Sequence, residues 1–562
     1  MKIALAQLNY HIGNFESNTS KIIEAIRKAK AQQADLVVFS ELAICGYPVR
    51  DFLEFSEFIK LCDLAVDKIA KEAKDIAVIV GAPSVNPKLE GKNLFNSAYF
   101  IENGKVKVKV NKTLLPTYDV FDEYRYFEPN TEFKVINFKG HNIALTICED
   151  LWNVDEDPLY VNAPMDELIH QQPDLMINIA ASPFDYHHRE DRLEVLSSNC
   201  EKYNLPLIYV NHTGAQTELI FDGGSLALNS KGQIVEELDY FEEDFSIINF
   251  NSEITSPDQK GSAIVGEWQN EDNDKIIDIS AHSKIERIYN ALVLGIKDYF
   301  QKSGFTKATL GMSGGIDSAV VLALACEALG KNNVLPVLMP SQYSTGHSVE
   351  DSLTMINILG CKHEIIPIKD VFDVFQTTLS PQFKDLPFNL TEENMQARIR
   401  GVLLMAMSNK FGYILLNTSN KSENAVGYGT LYGDMCGGLS VIGDVYKMQV
   451  FALARYINRN GVIIPKNIIT KAPSAELRPD QKDSDSLPDY DVLDKVLYQY
   501  IELRKSSNEI IALGFDEALV KRILKLVNTN EYKRHQTPPI LRVSPKAFGV
   551  GRRMPIVGKY LS

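Results

Sequence analysis

Three side chains in the first half of the chain stand where an apolar run gives way to a turn: Glu41 after LVVFS, Lys112 after VKVKVN and Cys148 after NIALTI. Such strand ends are where α/β enzymes present reactive groups. The three types are complementary. The thiol can attack a carboxamide carbon, and the ammonium can stabilise the resulting oxyanion. The carboxylate can take the thiol proton, deliver it to departing ammonia and then activate water. A thiol at a strand-to-helix elbow near a cation is expected to be acidified. The scheme needs no histidine, and none adjoins Glu41, Lys112 or Cys148.

A second cluster lies in the other half. TLGMSGGIDSAVVLALACEAL places Ser313, Gly314, Gly315, Ile316, Asp317 and Ser318 between an apolar strand and an apolar helix. Two glycines let the backbone approach a ligand, the serine hydroxyls add donors, and a helix N-terminus offers free N–H groups and a positive dipole end. This is an anion cradle but not a Walker A loop, because the Lys-Ser/Thr pair after GxxxxG is missing. An acidic Asp317 inside an anion site is expected to hold Mg²⁺ against phosphate oxygens.

The elements that must position these groups follow from hydrophobic periodicity. In the first half, strands are expected at residues 2–7, 36–39, 76–80, 143–147, 175–179 and 207–210, with a helix over 17–30. Most of these strands are apolar on both faces, which implies cover from other layers. The exception is KVKVKV at 105–110, which alternates as a half-exposed hairpin strand does. A layered αβ sandwich follows. A polar, acidic stretch from about residue 251 to 283 reads as a connection between domains. Beyond a helix at 283–302, strands at 308–312, 334–339, 364–368 and 413–417 alternate with helices at 318–329, 349–359 and 392–409. That alternation predicts a doubly wound parallel sheet with ligands at the carboxyl ends of its strands. The polar segment 475–489 is expected to form a lid.

Composition bounds the rest. A length of 562 residues favours two large domains. Hydrophobic residues at 45% and charged residues at 23% are those of an ordinary globular chain. With 58 Lys+Arg against 73 Asp+Glu the net charge is −15, which argues against coating nucleic acid or an anionic membrane. The longest apolar run, 319–326, is far short of the roughly 18 residues a membrane span needs. No cleavable leader pattern opens the chain. Seven cysteines without a CxxC pair point to neither a disulfide framework nor a zinc module, and so to a reducing cytoplasm.

SGGIDS in its strand-to-helix setting resembles the loop of the ATP pyrophosphatase family, whose members attach AMP to a substrate carboxylate and release pyrophosphate. NMQARIRG (394–401), LLNTSNKSENAVGYGTLYGDMCGG (415–438), PSAELRPDQ (473–481) and EYKRHQTPPILRVSPKAFGVGRRMPI (531–556) narrow that resemblance to the NAD⁺ synthetases. It implies a synthetase domain over 283–562 of the adenine nucleotide alpha hydrolase-like fold. It also implies ATP contacts at Gly311, Met312, Ser313, Gly314, Gly315, Ile316, Asp317, Ser318 and Thr418. Deamido-NAD⁺ contacts would fall on Asn394, Glu423 and Lys533, and Mg²⁺ on Asp317 and Glu423. Six glycines between Gly427 and Gly443, with Arg398, Arg400, Lys421, Lys533 and Arg534, suit a phosphate-bearing ligand inside an acidic chain.

FSELAICGYP, NKTLLPTYDVFDEYRYF and LTICEDLW resemble the Glu, Lys and Cys signatures of the nitrilase (carbon–nitrogen hydrolase) superfamily. The resemblance implies an αββα sandwich over 1–255, joined through 256–282, with Glu41, Lys112 and Cys148 catalytic. In the glutamine-dependent NAD⁺ synthetases this domain is the glutaminase. Carried over, Tyr118 and Ser182 bind glutamine and Glu123 orients it. One position departs: His188 stands six residues after Ser182, where the pattern has Lys, so glutamine is met there by an imidazole hydrogen bond or not at all. The segments 211–214 (NHTG) and 221–225 (FDGGS) fit the family's loops without assignable chemistry.

Together the resemblances imply a cytoplasmic ligase, homo-oligomeric through its synthetase domain. It would adenylate deamido-NAD⁺ with ATP and Mg²⁺ and amidate it with glutamine-derived ammonia carried through an internal passage. Its partners would be small molecules rather than nucleic acid or membrane. Two rival readings are an amidotransferase with another acceptor carboxylate and a nucleotide-binding scaffold or sensor without turnover. GMP and asparagine synthetases use other glutaminase folds, which disfavours the first. Intact Glu41, Lys112, Cys148 and Asp317 disfavour the second.

Overall fold

The computed structural model describes residues 1–154, 158–254, 282–384, 386–479 and 481–560. The chain divides into two compact units, Met1–Trp268 and Gln269–Ser562. The connection expected at 256–282 lies, except for its last residue, outside the described residues.

The first unit carries β1 (Lys2–Gln7), β2 (Leu36–Val38), β3 (Ala77–Val85), β4 (Leu94–Glu102), β5 (Lys105–Asn111), β6 (Ile136–Phe138) and β7 (His141–Ile147). It continues with β8 (Leu175–Ile179), β9 (Leu207–Val210), β10 (Thr213–Gln216), β11 (Leu219–Asp222), β12 (Leu226–Leu228), β13 (Ile234–Glu237) and β14 (Asp244–Asn249). Its α-helices are α1 (Phe15–Ala31), α2 (Ser56–Glu72), α3 (Pro164–Leu168) and α4 (His188–Tyr203). The strands form two six-stranded sheets, β14-β1-β2-β3-β4-β5 and β13-β12-β9-β8-β7-β6, and β10-β11 make a hairpin. Ile3, Leu5, Val38 and Ile79 of the first sheet share one core with Ile143, Leu145, Ile177 and Ile208 of the second. Ile22 and Ile26 of α1 and Val66 and Ile69 of α2 pack with Ala4, Val37 and Val78 on the first sheet's other face. Leu193, Leu196 and Cys200 bring α4 into the core of the second sheet. The expected αββα sandwich is the observed one. As its alternation predicts, β5 is an edge strand paired antiparallel with β4, and its lysines are exposed.

The second unit carries β15 (Ala308–Gly311), β16 (Val334–Leu338), β17 (Glu364–Ile365), β18 (Ile414–Asn417) and β19 (Leu439–Ser440). Its helices are α5 (His282–Ser303), α6 (Ile316–Leu329), α7 (Gly346–Leu359), α8 (Lys369–Phe383), α9 (Leu390–Phe411), α10 (Lys421–Val426), α11 (Lys447–Ile457) and α12 (Lys466–Thr470). They are followed by α13 (Tyr490–Ile501), α14 (Ser507–Ala512), α15 (Glu517–Thr529) and α16 (Glu531–Arg534). The sheet, β17-β16-β15-β18-β19, is parallel throughout and winds both ways from β15. The phosphate-type loop follows this central strand, at the switch point where doubly wound folds bind ligands. α6 is apolar on every side, in keeping with burial of nearly all of it. Among the described residues no helix is long and apolar enough to cross a membrane.

Candidate active site

Glu41 follows β2, Lys112 follows β5 and Cys148 follows β7, so one sheet supplies the carboxylate and ammonium and the other supplies the thiol. Lys112 Nζ donates to Glu41 Oε1 at 2.7 Å and to Glu123 Oε1 at 2.8 Å, and all three residues are buried. Asn96 Nδ2 donates to Glu41 Oε1 at 2.6 Å, and the Ala181 N–H to Oε2 at 3.0 Å. Burial pulls the Lys112 pKa down, but Glu123 and then Glu41 outweigh it and hold the ammonium well above the usual lysine range. Burial pushes the Glu123 carboxyl up to about 7 against the pull of Lys112. Glu123 also accepts from the Tyr47 hydroxyl at 2.9 Å, so the residue expected to orient glutamine clasps the lysine.

Cys148 opens the short 3₁₀ turn Cys148–Leu151 with φ of +44°, a left-handed conformation uncommon outside glycine. The acidification expected of this thiol is corrected by its surroundings. A single 3₁₀ turn offers little dipole, and burial, followed by the Glu41 carboxylate, pushes the thiol well above its usual range despite Lys112. The Cys148 thiol thus has both the Glu41 carboxylate and the Lys112 ammonium within electrostatic reach.

Around this centre the structure brings together residues scattered in sequence. The Tyr118 and Tyr160 hydroxyls donate to Glu149 Oε1 at 2.9 and 3.0 Å, and burial raises the Glu149 carboxyl. Ser182 Oγ lies 2.6 Å from His188 Nε2, and the His188 ring stacks on Trp152 with centroids 5.2 Å apart. The segment 211–214 gains a structural role: Asn211 Oδ1 accepts from the Ser182 N–H, and His212 Nε2 is 2.8 Å from the Glu41 carbonyl oxygen. A histidine therefore does adjoin the centre, from the connection between β9 and β10. Sequence reasoning missed Asn96 and Glu149. Glu149 is visible as the acidic neighbour of the thiol in CEDLW, whereas nothing in NLFNS marks Asn96.

In the second unit one pocket is lined by Gly311, Met312, Ser313, Gly314, Gly315, Ile316, Asp317, Ser318, Thr418 and Glu423. Gly314 has φ of +80°, and a Cβ there would stand 2.5 Å from the Ser348 carbonyl oxygen, so the turn requires glycine. Ser313 Oγ accepts the Gly315 N–H at 3.2 Å and lies 3.1 Å from Ser318 Oγ. Lys447 Nζ donates to Asp317 Oδ2 at 2.6 Å and Glu423 Oε1 at 3.3 Å, and Asn420 Nδ2 donates to Asp317 Oδ1 at 2.9 Å. Burial raises the Glu423 carboxyl to about 8, with Lys447 opposing and Asp317 and Asp483 adding to the rise. Among the described residues no group of three His, Cys, Asp or Glu is arranged to hold a metal by itself. Mg²⁺ takes few protein ligands and completes its shell with phosphate and water, so the carboxyl oxygens of Asp317 and Glu423, which share the Lys447 ammonium, are hard donors of the kind it takes.

Asn394 and Lys533 meet the glycine-rich segment instead. Asn394 Oδ1 accepts from Thr430 Oγ1 at 2.8 Å, and Lys533 Nζ donates to the carbonyls of Gly427 and Gly429 at 2.7 and 2.9 Å. The five basic residues read as ligand charge divide. Arg400 lines the pocket, and burial lowers its guanidinium to about 10. Arg398 donates to the Leu431 carbonyl. Lys421 is buried on Glu502 and Asp444, and Arg534 on Glu531 and the Asn424 and Ala425 carbonyls, so these two are corrected to structural roles. Lys447 and Lys471, not singled out in sequence, line the pocket. Ala475, Glu476, Leu477 and Asp483, from the segment expected to form a lid, line its wall. Glu476 accepts from Lys471 Nζ at 2.6 Å and from Ser348 Oγ at 2.7 Å, and the Leu477 carbonyl accepts from Gln396.

Residues 2–257 match the carbon-nitrogen hydrolase family model, and residues 288–537 match that of NAD synthase. Fold and site thus define a two-module enzyme, a carbon-nitrogen hydrolase joined to an NAD synthase. Over 561 residues the chain is 46% identical to the glutamine-dependent NAD(+) synthetase of Synechocystis sp., covering 99% of this chain and 98% of the relative. It is 42% identical to that of Acinetobacter baylyi over 558 residues, covering 99% and 98%. The glutamine-dependent NAD⁺ synthetase of Acinetobacter baumannii, solved in complex with ADP, matches it with a TM-score of 0.75 at 38% identity, over 100% of this chain and 99% of that one. The chain belongs to the glutamine-dependent NAD⁺ synthetase family.

Proposed function

We propose that residues 1–255 release ammonia from glutamine and that residues 283–562 use it, with ATP, to convert deamido-NAD⁺ to NAD⁺, yielding AMP, pyrophosphate and glutamate. The observation that carries this reading is the buried Glu41–Lys112 pair beside Cys148, in one chain with the SGGIDS pocket. Cys148 Sγ attacks the glutamine carboxamide carbon while Glu41 takes its proton, and Lys112 donates to the oxyanion. Glu41 returns the proton to the leaving ammonia and then activates the water that cleaves the thioester. Glu149, with its two tyrosine hydroxyls, offers a carboxylate to the substrate's α-ammonium, and Ser182 with His188 offers donors to its α-carboxylate.

In the second unit the carboxylate of deamido-NAD⁺ attacks the α-phosphorus of ATP, and the hydroxyls and N–H groups of residues 313–318 receive the pyrophosphate. Ammonia then displaces AMP from the adenylate. Asn394, Glu423 and Lys533, with the segment they brace, hold the dinucleotide. Mg²⁺ on Asp317 and Glu423 supplies charge neutralisation for the phosphates when bound. Ammonia is protonated in neutral water, so an internal passage is part of this reading. So is assembly with a second copy: α8 and α9 leave Val374, Phe375, Val402 and Phe411 exposed, apolar surface that a partner would cover. Seven free cysteines support a cytoplasmic setting. The test is to supply amide-¹⁵N glutamine, ATP and deamido-NAD⁺. Label in the NAD⁺ carboxamide with one AMP per turnover is expected, and unlabelled product or release of ADP would contradict the reading.

A further inference from the structure

Thr113 and Leu114 follow Lys112 off edge strand β5 of one sheet, and Ile147 precedes Cys148 at the end of β7 in the other. One buried side chain holds the N–H groups of all three. Asp150 Oδ1 accepts from Thr113 at 2.9 Å and from Leu114 at 2.8 Å, and Oδ2 accepts from Ile147 at 3.0 Å. Each carboxylate oxygen thus serves a different sheet. A buried N–H without an acceptor is costly, so this side chain replaces the ladder partner that each turn lacks.

We propose that Asp150 is a positioning residue for glutamine hydrolysis, a cross-sheet clamp that sets the separation and orientation of Lys112 and Cys148. The proposal rests on the reading of those two residues as catalytic. Cys148 needs such a clamp because a left-handed backbone persists only when its surroundings over-determine it. Asp150 holds the peptide N–H before the thiol, and Asn178 Nδ2 donates to the Cys148 carbonyl after it at 3.3 Å. The Lys112 head is fixed by Glu41 and Glu123, but its backbone exit is fixed by Asp150. Both oxygens of Asp150 are engaged by backbone, so it acts through its neighbours and not on substrate. An asparagine of the same shape keeps one oxygen and turns an amide N–H₂ toward either Ile147 or the Thr113–Leu114 pair, donor against donor.

The test is Asp150→Asn in the full chain. Glutamine-dependent kcat is expected to fall on the order of 100-fold, because a displacement of about 1 Å between reacting groups costs that much. The glutamine KM should stay within about threefold, the scale of intact binding contacts. Ammonia-dependent synthesis should stay, and the pH profile of Cys148 alkylation by iodoacetamide should shift. A lowered melting temperature with unchanged kcat and an unchanged alkylation profile would overturn the proposal in favour of a merely structural carboxylate. Wild-type hydrogen exchange gives an arm that needs no variant: the Thr113, Leu114 and Ile147 amides should be protected as one unit. Fast exchange at 113 and 114 with slow exchange at 147 would mean there is no clamp. A wild-type chain without glutamine hydrolysis would sink the functional reading, while alkylation would still judge Asp150.

Discussion

The hydroxyl oxygen of Ser182 lies 2.6 Å from Nε2 of His188, so the residue expected to receive glutamine and the residue that departs from the family pattern form one hydrogen-bonded unit. Stacking on Trp152 holds the imidazole where a lysine would have a flexible stem. His188→Ala is expected to raise the glutamine KM by about tenfold, the equivalent of one hydrogen bond of about 1.4 kcal/mol, with kcat nearly unchanged. Steady-state kinetics at saturating ATP measures it. An unchanged KM would remove His188 from the glutamine site.

Gly314→Ala should disable the second unit for both nitrogen sources. Its left-handed φ and the nearby Ser348 carbonyl leave no room for a Cβ. The backbone strain alone is about 1–2 kcal/mol, and the contact adds to it, so the KM for ATP should rise by more than about tenfold. Wild-type nucleotide affinity by calorimetry would show that the loop does not cradle phosphate.

Lys447→Met leaves Asp317 and Glu423 facing each other without their shared ammonium. Removing one member of a buried pair typically costs about 3–5 kcal/mol. The unfolding transition of the second unit should move to lower temperature, with synthesis lost from glutamine and ammonia alike. An unchanged transition in scanning calorimetry would contradict the charge assignment.

Glu123 should impose a pH dependence on the stability of the first unit. Burial pushes its carboxyl from 4.5 up to about 7, so the native state keeps a proton that the unfolded chain gives up. The contribution is therefore full below about 4.5 and is lost as pH rises through about 7. Relative to Glu123→Gln, the wild-type melting temperature should fall between about pH 5 and about pH 8. Parallel curves for the two proteins would refute the raised carboxyl.

Much of the frame is legible in sequence because its apolar runs coincide with covered strands. β1, β8 and β9 begin and end where those runs do, and Glu41, Lys112 and Cys148 meet because the ends of their strands converge. β4 is not legible: LFNSAYFIE is covered on both faces yet interrupted by Asn96 and Ser97, and Asn96 turns out to serve Glu41. α8 is hidden by an internal Pro381 and by exposed apolar side chains. Helices α13 and α15 form a core with α10 that no strand-helix alternation announces. Lys447 gives no local sign of its role, since its partners lie 130 and 24 residues away. The thiol's raised pKa is likewise a product of tertiary burial, which the elbow motif does not encode.

Release of ammonia and its use should be separable chemistries within one chain. The most direct measurement is NAD⁺ formation by Cys148→Ala from deamido-NAD⁺ and ATP, once with glutamine and once with ammonium chloride. The glutamine-dependent rate is expected to fall to background while the ammonia-dependent rate is unchanged. Equal loss of both rates would contradict it.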